Sequence, residues 1–175
     1  KKMKGRPLDT IYFGGRHPYL PGGSGFGPSA GKSGDLFDTE HVLEFTVEAG
    51  RPDSITREKL QVLKAHGISR ISINPQTMNQ KTLDLIGRRH TVDQVKDTFY
   101  MARELGFDNI NMDLIMGLPQ EGIREVEHTL EEVRRMAPDS LTVHSLAIKR
   151  AARLNMFKED YSNLTIQNTP EMIEM

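Results

Sequence analysis

The chain has 175 residues, enough for one domain with a real core, and no cysteine. That excludes disulfides, a thiolate nucleophile and a thiolate metal site within this sequence. Lysine plus arginine (23) nearly balances aspartate plus glutamate (24), so no global field favours nucleic acid or an anionic membrane. No apolar run reaches the length of a membrane span and no secretory signal opens the chain, so a cytoplasmic globular protein is expected.

In chain order, "LDTIYFGG" (8–15) is predicted as a strand ending in glycines. The stretch after it, "RHPYLPGGSGFGPSAGKSGD", invites comparison with a phosphate-cradling loop. Counted back from Gly31, Lys32 and Ser33, the required first glycine falls on Phe26, so the nucleotide-binding alternative fails on spacing. "VLEFTVEAG" (42–50) is a second strand and "ITREKLQVLKAHG" (55–67) a helix, with Leu60, Leu63 and Ile68 on its apolar stripe. "SRISINPQ" (69–76) is a strand, followed by two helical stretches, the second opened by a Thr91–Gln94 capping box and closed at Gly106. "NINMDLIMGLP" (109–119) is a strand, "GIREVEHTLEEVRRMAP" an amphipathic helix and "SLTVHSLA" (140–147) a last strand. Regular βα alternation predicts an α/β fold with a parallel sheet and right-handed crossovers.

Four of the strands alternate in the same sense. Phe45, Val47, Ile71, Ile73, Ile110, Met112, Leu114, Leu141 and Val143 form an apolar face meant for helices. Glu44, Thr46, Glu48, Ser72, Asn74, Gln76, Asn111, Asp113, Thr142 and His144 form a polar one. Unpaired buried polar groups are costly, so the polar face reads either as a solvated or ligand-filled lumen or as an internal hydrogen-bond network. Glu48, Gln76 and Asp113 are placed at or near strand C-terminal ends, where barrel sites form. Together they suit a polar, amine-bearing ligand.

"TIYFGG", "EFTVEAGRPDSIT", "GISRISINPQTMNQKTLDLIGRRHT", "NINMDLIMGLP" and "LTVHSLAIKRAARLN", in this order, resemble the oxygen-independent coproporphyrinogen III oxidases, a radical S-adenosylmethionine (SAM) family. The resemblance runs from residue 8 to about 155. It implies a partial, open (β/α)6-type barrel, TIM-barrel-like, with about five strands present in residues 1–155 and a tail (156–175) without clear signal. It further implies oxidative decarboxylation of coproporphyrinogen III in haem biosynthesis, with an electron donor, SAM and a [4Fe–4S] cluster on a CxxxCxxC loop. Reductive cleavage of SAM in that family yields a 5′-deoxyadenosyl radical that abstracts hydrogen from a propionate side chain. Close relatives of these oxidases are haem chaperones, the alternative function.

By this resemblance Gly14 and Gly15 lie beside the SAM amino group and Glu48 contacts a first SAM. Gln76, Arg88 and Asp113 hold a second SAM, and Ala147 lies near an adenine. Arg88 also reads as a helix-end charge and Asp113 as a turn cap. Lys149, Arg150 and Arg153 read either as partners of substrate propionates or as an exposed basic helix face.

Two departures stand out. The cluster loop is missing, so the chain is expected to be a fragment that begins at the second barrel strand and lacks the cluster ligands. The family's Gly-Thr-Pro-Thr turn and following helix are also replaced, across residues 16–36. One choice of codons for Arg-His-Pro-Tyr, read one base later, gives Gly-Thr-Pro-Thr, so a frame-shifted segment is expected there, with a true glycine-rich loop as the alternative.

Overall fold

The computed structural model describes residues 8–14 and 42–146. Five strands make one parallel sheet in sequence order: β1 (Thr10–Phe13), β2 (Glu44–Gly50), β3 (Arg70–Gln76), β4 (Ile110–Met116) and β5 (Ser140–Ser145). Between them lie α1 (Arg57–Ala65), α2 (Gln80–Leu85), α3 (Val92–Glu104) and α4 (Ile123–Met136), with a short 3₁₀ turn at Pro52–Ser54. The strand order never reverses. Repeated right-handed crossovers therefore bring the helices to one face, as in a barrel and not in a doubly wound sheet.

Local chemistry sets the helix ends. The Thr56 hydroxyl accepts from the Lys59 N–H to start α1. At α3, Gln94 N–H donates to Thr91 Oγ1 (3.1 Å) and Thr91 N–H to Gln94 Oε1 (2.9 Å), the capping box expected from sequence. Glu125 accepts from Gly122 N–H at 2.8 Å to open α4. One expectation is corrected: α1 ends at Ala65, so Ile68 is not on its stripe. Gly67, at φ +73°, turns the chain so that Ile68 enters the core from the connection.

The apolar face of β2, β3 and β4 packs on α1 and α3 around Val47, Ile71, Ile73, Phe99, Phe107 and Met112, all fully or almost fully buried. Arg103 lies over the Phe99 ring and also reaches Asp139 at 2.8 Å. Asp139 accepts from Ile110 N–H at 2.7 Å and so fixes the start of β4. The expectation that every apolar strand position meets a helix fails at β5. Leu141 and Val143 stay 41% and 49% exposed, because β5 is the edge strand and no described helix follows it.

Candidate functional site

The polar positions of β2 to β5 do share one face, and they bond to one another. Asn111 is the hub. Its Nδ2 donates to Ser72 Oγ (3.0 Å) and Asp113 Oδ1 (2.6 Å), while its Oδ1 accepts from Ser140 Oγ (2.9 Å) and Thr142 Oγ1 (3.1 Å). Asn74 Nδ2 donates to Glu48 Oε1 at 3.1 Å. At the N-terminal end of the sheet Arg70 lies 3.8 Å from Glu44 and donates to Ser140 Oγ at 3.0 Å, closing that end of the lumen. The internal-network reading thus holds for the deep part of this face. Among the described residues, only the C-terminal end stays open to a ligand.

Asp113, expected at or near a strand end, is the fourth of the seven residues of β4, opposite Thr142 of β5. A bulge in β3 lies opposite it. The β3–β4 register runs Ile73↔Met112 and then Gln76↔Leu114, so Asn74 and Pro75 together oppose Asp113. Proline has no N–H to give the ladder, which suits it to this position. Gln76, at φ +73°, ends the strand in the left-handed region, a strained conformation for a non-glycine residue.

The Gln76 side chain accepts from Arg88 Nη2 at 3.0 Å. Arg88 is half-buried and has no carboxylate within ion-pair distance among the described residues. Burial, and then the nearby Arg51 guanidinium, lower its pKa from the ordinary value, with Asp53 opposing. Arg51 is itself paired with Asp53 at 3.5 Å, so the group of two guanidiniums and one carboxylate keeps a net positive charge that favours an anion. Both arginines line a cleft of about 210 Å³ whose remaining walls are mostly apolar: Ile86, Ile115, Leu118, Pro119 and Leu146. Gly87 completes it.

On β1, Tyr12 pairs with Thr46, so its ring points to the polar face, and it is 64% exposed. Burial, then the charges of Glu48 and Asp113, raise its phenol pKa, with Arg70 opposing; the hydroxyl remains a donor. Gly14 sits against this ring. A Cβ there would lie within the Tyr12 ring's contact distance and 2.8 Å from Glu48 Oε2. A side chain here would make the Tyr12 ring and the Glu48 carboxylate shift.

The structure thus brings Gly14, Glu48, Gln76, Arg88 and Asp113 to one face or one end of the sheet. Gly15, Ala147, Lys149, Arg150, Arg153, the anomalous segment 16–36 and the tail 156–175 lie outside the described residues. Tyr12 and Arg51 were missed from sequence. Extending the strand alternation to β1 would have found Tyr12, whereas nothing local marks Arg51.

The residues present fit SAM in charge: carboxylates on β2 and β4, a guanidinium beside Gln76 that has no carboxylate partner among the described residues, and an apolar wall. They do not fit an iron–sulfur cluster. The chain has no cysteine, and no three His, Asp or Glu side chains converge among the described residues. No described helix is long and apolar enough to cross a membrane.

The buried ring of His90 also has a pH consequence. Burial lowers its pKa; Arg88 and Arg51 act in the same sense, while the Pro75 carbonyl and Asp53 oppose. The unfolded chain then takes up the proton first as pH falls. The stability is fully present above about pH 6.5 and is lost as pH falls below it. Urea midpoints measured from pH 7.5 to 5 are expected to drop in wild type and to drop less in His90→Phe. An equal fall in both proteins contradicts the assignment.

Comparison with known proteins agrees with this geometry. The Radical SAM superfamily model matches residues 1–133. The chain is 44% identical over 176 residues to the oxygen-independent coproporphyrinogen-III oxidase-like protein HemZ of Bacillus subtilis (strain 168), covering 95% of this chain and 34% of that protein. It is 39% identical over 114 residues to the heme chaperone HemW of the same organism, covering 65% of this chain and 30% of that one. The chain therefore spans about a third of the length of these relatives. The structure of the Escherichia coli coproporphyrinogen III oxidase HemN, a radical SAM enzyme, superposes with a TM-score of 0.80 at 23% identity, over 97% of this chain and 38% of that one. At that identity the match shows the fold: an open, curled half-barrel of parallel strands. By its motifs, its half-barrel and its match to the superfamily model, the chain belongs to the Radical SAM superfamily.

Proposed function

We propose that this chain is the barrel portion of a radical SAM enzyme that oxidatively decarboxylates coproporphyrinogen III. One observation carries the reading: the half-buried Arg88, tied to Gln76 and without a carboxylate partner, lines a cleft with an apolar wall. Such a cleft suits a molecule that joins a carboxylate to an uncharged ring system, as SAM does. When bound, SAM supplies the hydrogen-abstracting radical; the barrel supplies position and electrostatics.

Arg88 offers its remaining guanidinium N–H groups to the ligand carboxylate, and Gln76 fixes the plane of the fork. Asp113 joins Arg88 and Gln76 around this second SAM, whereas Glu48 faces the positive charge of the first. Asn74 and Asn111 keep these two carboxylates from swinging away. Gly14 lets the backbone approach the ligand amino group. Ala147, Lys149, Arg150 and Arg153 lie outside the described residues; the family resemblance assigns Ala147 to the adenine, and the three basic residues either to substrate propionates or to an exposed basic face.

The second reading, a haem chaperone without oxidase activity, is favoured by the HemW similarity. Anaerobic incubation of the full-length holoprotein with coproporphyrinogen III, SAM and a low-potential electron donor separates the two. The oxidase reading predicts 5′-deoxyadenosine and a decarboxylated porphyrinogen. Stoichiometric haem binding with neither product favours the chaperone.

A further inference from the structure

His90 is fully buried and has no part in the ligand contacts above. Its Nε2 lies 3.2 Å from the Pro75 carbonyl oxygen. A carbonyl only accepts, so Nε2 carries the proton and donates. Nδ1 is then a bare lone pair, buried and without a hydrogen-bond partner among the described residues. A ring placed at the cost of an orphaned acceptor asks for a reason.

That reason lies in the peptide it holds. Pro75 is in the bulge that opposes Asp113, and the next residue is Gln76 in its left-handed conformation. Within a bulge the ladder is interrupted, so the backbone there depends on partners from outside the sheet. His90 is such a partner for Pro75. Arg88, two residues earlier, holds the Gln76 side chain. The segment after α2 thus grips the end of β3 twice, once by main chain and once by side chain. The Gln80 side chain, accepting from Val92 N–H at 3.0 Å, ties the far end of that segment back to α2.

We propose that His90 is a positioning residue: a neutral imidazole, protonated on Nε2, whose bond to the Pro75 carbonyl holds the bulged end of β3 and so aims Gln76 and Arg88 at the ligand. This rests on the SAM reading of the site, but the bond and its effect on the backbone can be measured without SAM.

In the full-length holoprotein, two variants separate the donor from the ring. His90→Phe keeps the bulk and removes the donor, whereas His90→Gln puts an amide N–H near the place of Nε2. His90→Phe is expected to speed amide exchange across residues 74–78 and to weaken SAM binding by about threefold to tenfold, the worth of one net hydrogen bond. His90→Gln is expected to restore most of both. Wild-type exchange and affinity in His90→Phe, or no rescue by His90→Gln, overturns the proposal. Nitrogen-15 spectra of the wild-type imidazole give an answer even if a variant fails to fold. Between pH 7 and 8 the ring must be neutral with its proton on Nε2; a proton on Nδ1 overturns the proposal. If wild type itself binds no SAM, the proposed function fails, and the exchange and spectral results still decide the role of His90.

Discussion

Replacing Asn111 with leucine is expected to lower the unfolding free energy by about 2–4 kcal/mol, although the side chains are close in volume. Asn111 is almost fully buried and satisfies four neighbours on β3, β4 and β5. Leucine leaves them to find other partners, Ser72 at a buried position and Asp113, Ser140 and Thr142 at partly exposed ones. Ser72 retains Asn74, and Ser140 retains Arg70, so the loss is less than four full bonds. Thr142 has no second partner of this kind on this face, and Asp113 keeps only a long 3.5 Å contact with Ser72. The urea midpoint measures the effect. A second variant tests the electrostatics: Asn111→Asp puts a carboxylate where the amide now lies 2.6 Å from Asp113. Two like charges at that range raise one of the carboxyl pKa values, so Asn111→Asp should be less destabilised at pH 5 than at pH 8. A pH-independent penalty contradicts this account of the hub.

Gly14→Val is expected to leave the fold intact and damage the site. The added Cβ meets the Tyr12 ring and comes within 2.8 Å of Glu48 Oε2. Tyr12 is exposed and can rotate away. Glu48 cannot move without giving up its bond from Asn74, and Asn74 belongs to the bulge that carries Gln76. Overpacking of this kind costs about 1–3 kcal/mol, and if it falls on the ligand site it corresponds to roughly tenfold or more in affinity. Circular dichroism should be unchanged while SAM affinity falls. Unchanged affinity in Gly14→Val sinks the placement of the ligand over Gly14.

The strands and helices were legible because each carries its own period and its own stop signal. Thr91 and Gln94 announce the start of α3, and the polar alternation of β2, β3 and β4 announces a face that helices do not cover. What the sequence hid depends on contacts between distant segments. The bulge at Asn74 and Pro75 needs the register of β4 to be seen. Arg51 becomes part of the cleft only because the turn after β2 lies beside Arg88. The same is true of Glu121, a buried carboxylate that accepts from Thr77 at 2.6 Å and Asn79 at 3.0 Å, locking the loop after β3 to the loop after β4. Nothing in "GLPQEG" marks that glutamate as buried. Ile68 was misplaced for a simpler reason: the apolar period continues past Ala65, while the backbone turns at Gly67.

The central claim is that the C-terminal end of this polar face binds SAM through Arg88. Equilibrium dialysis of labelled SAM against the full-length holoprotein tests it directly, in wild type and Arg88→Ala. The account predicts saturable binding in wild type, weakened about tenfold or more in Arg88→Ala by loss of a charged hydrogen-bond donor, with the unfolding midpoint little changed. Equal affinity in the two proteins contradicts it.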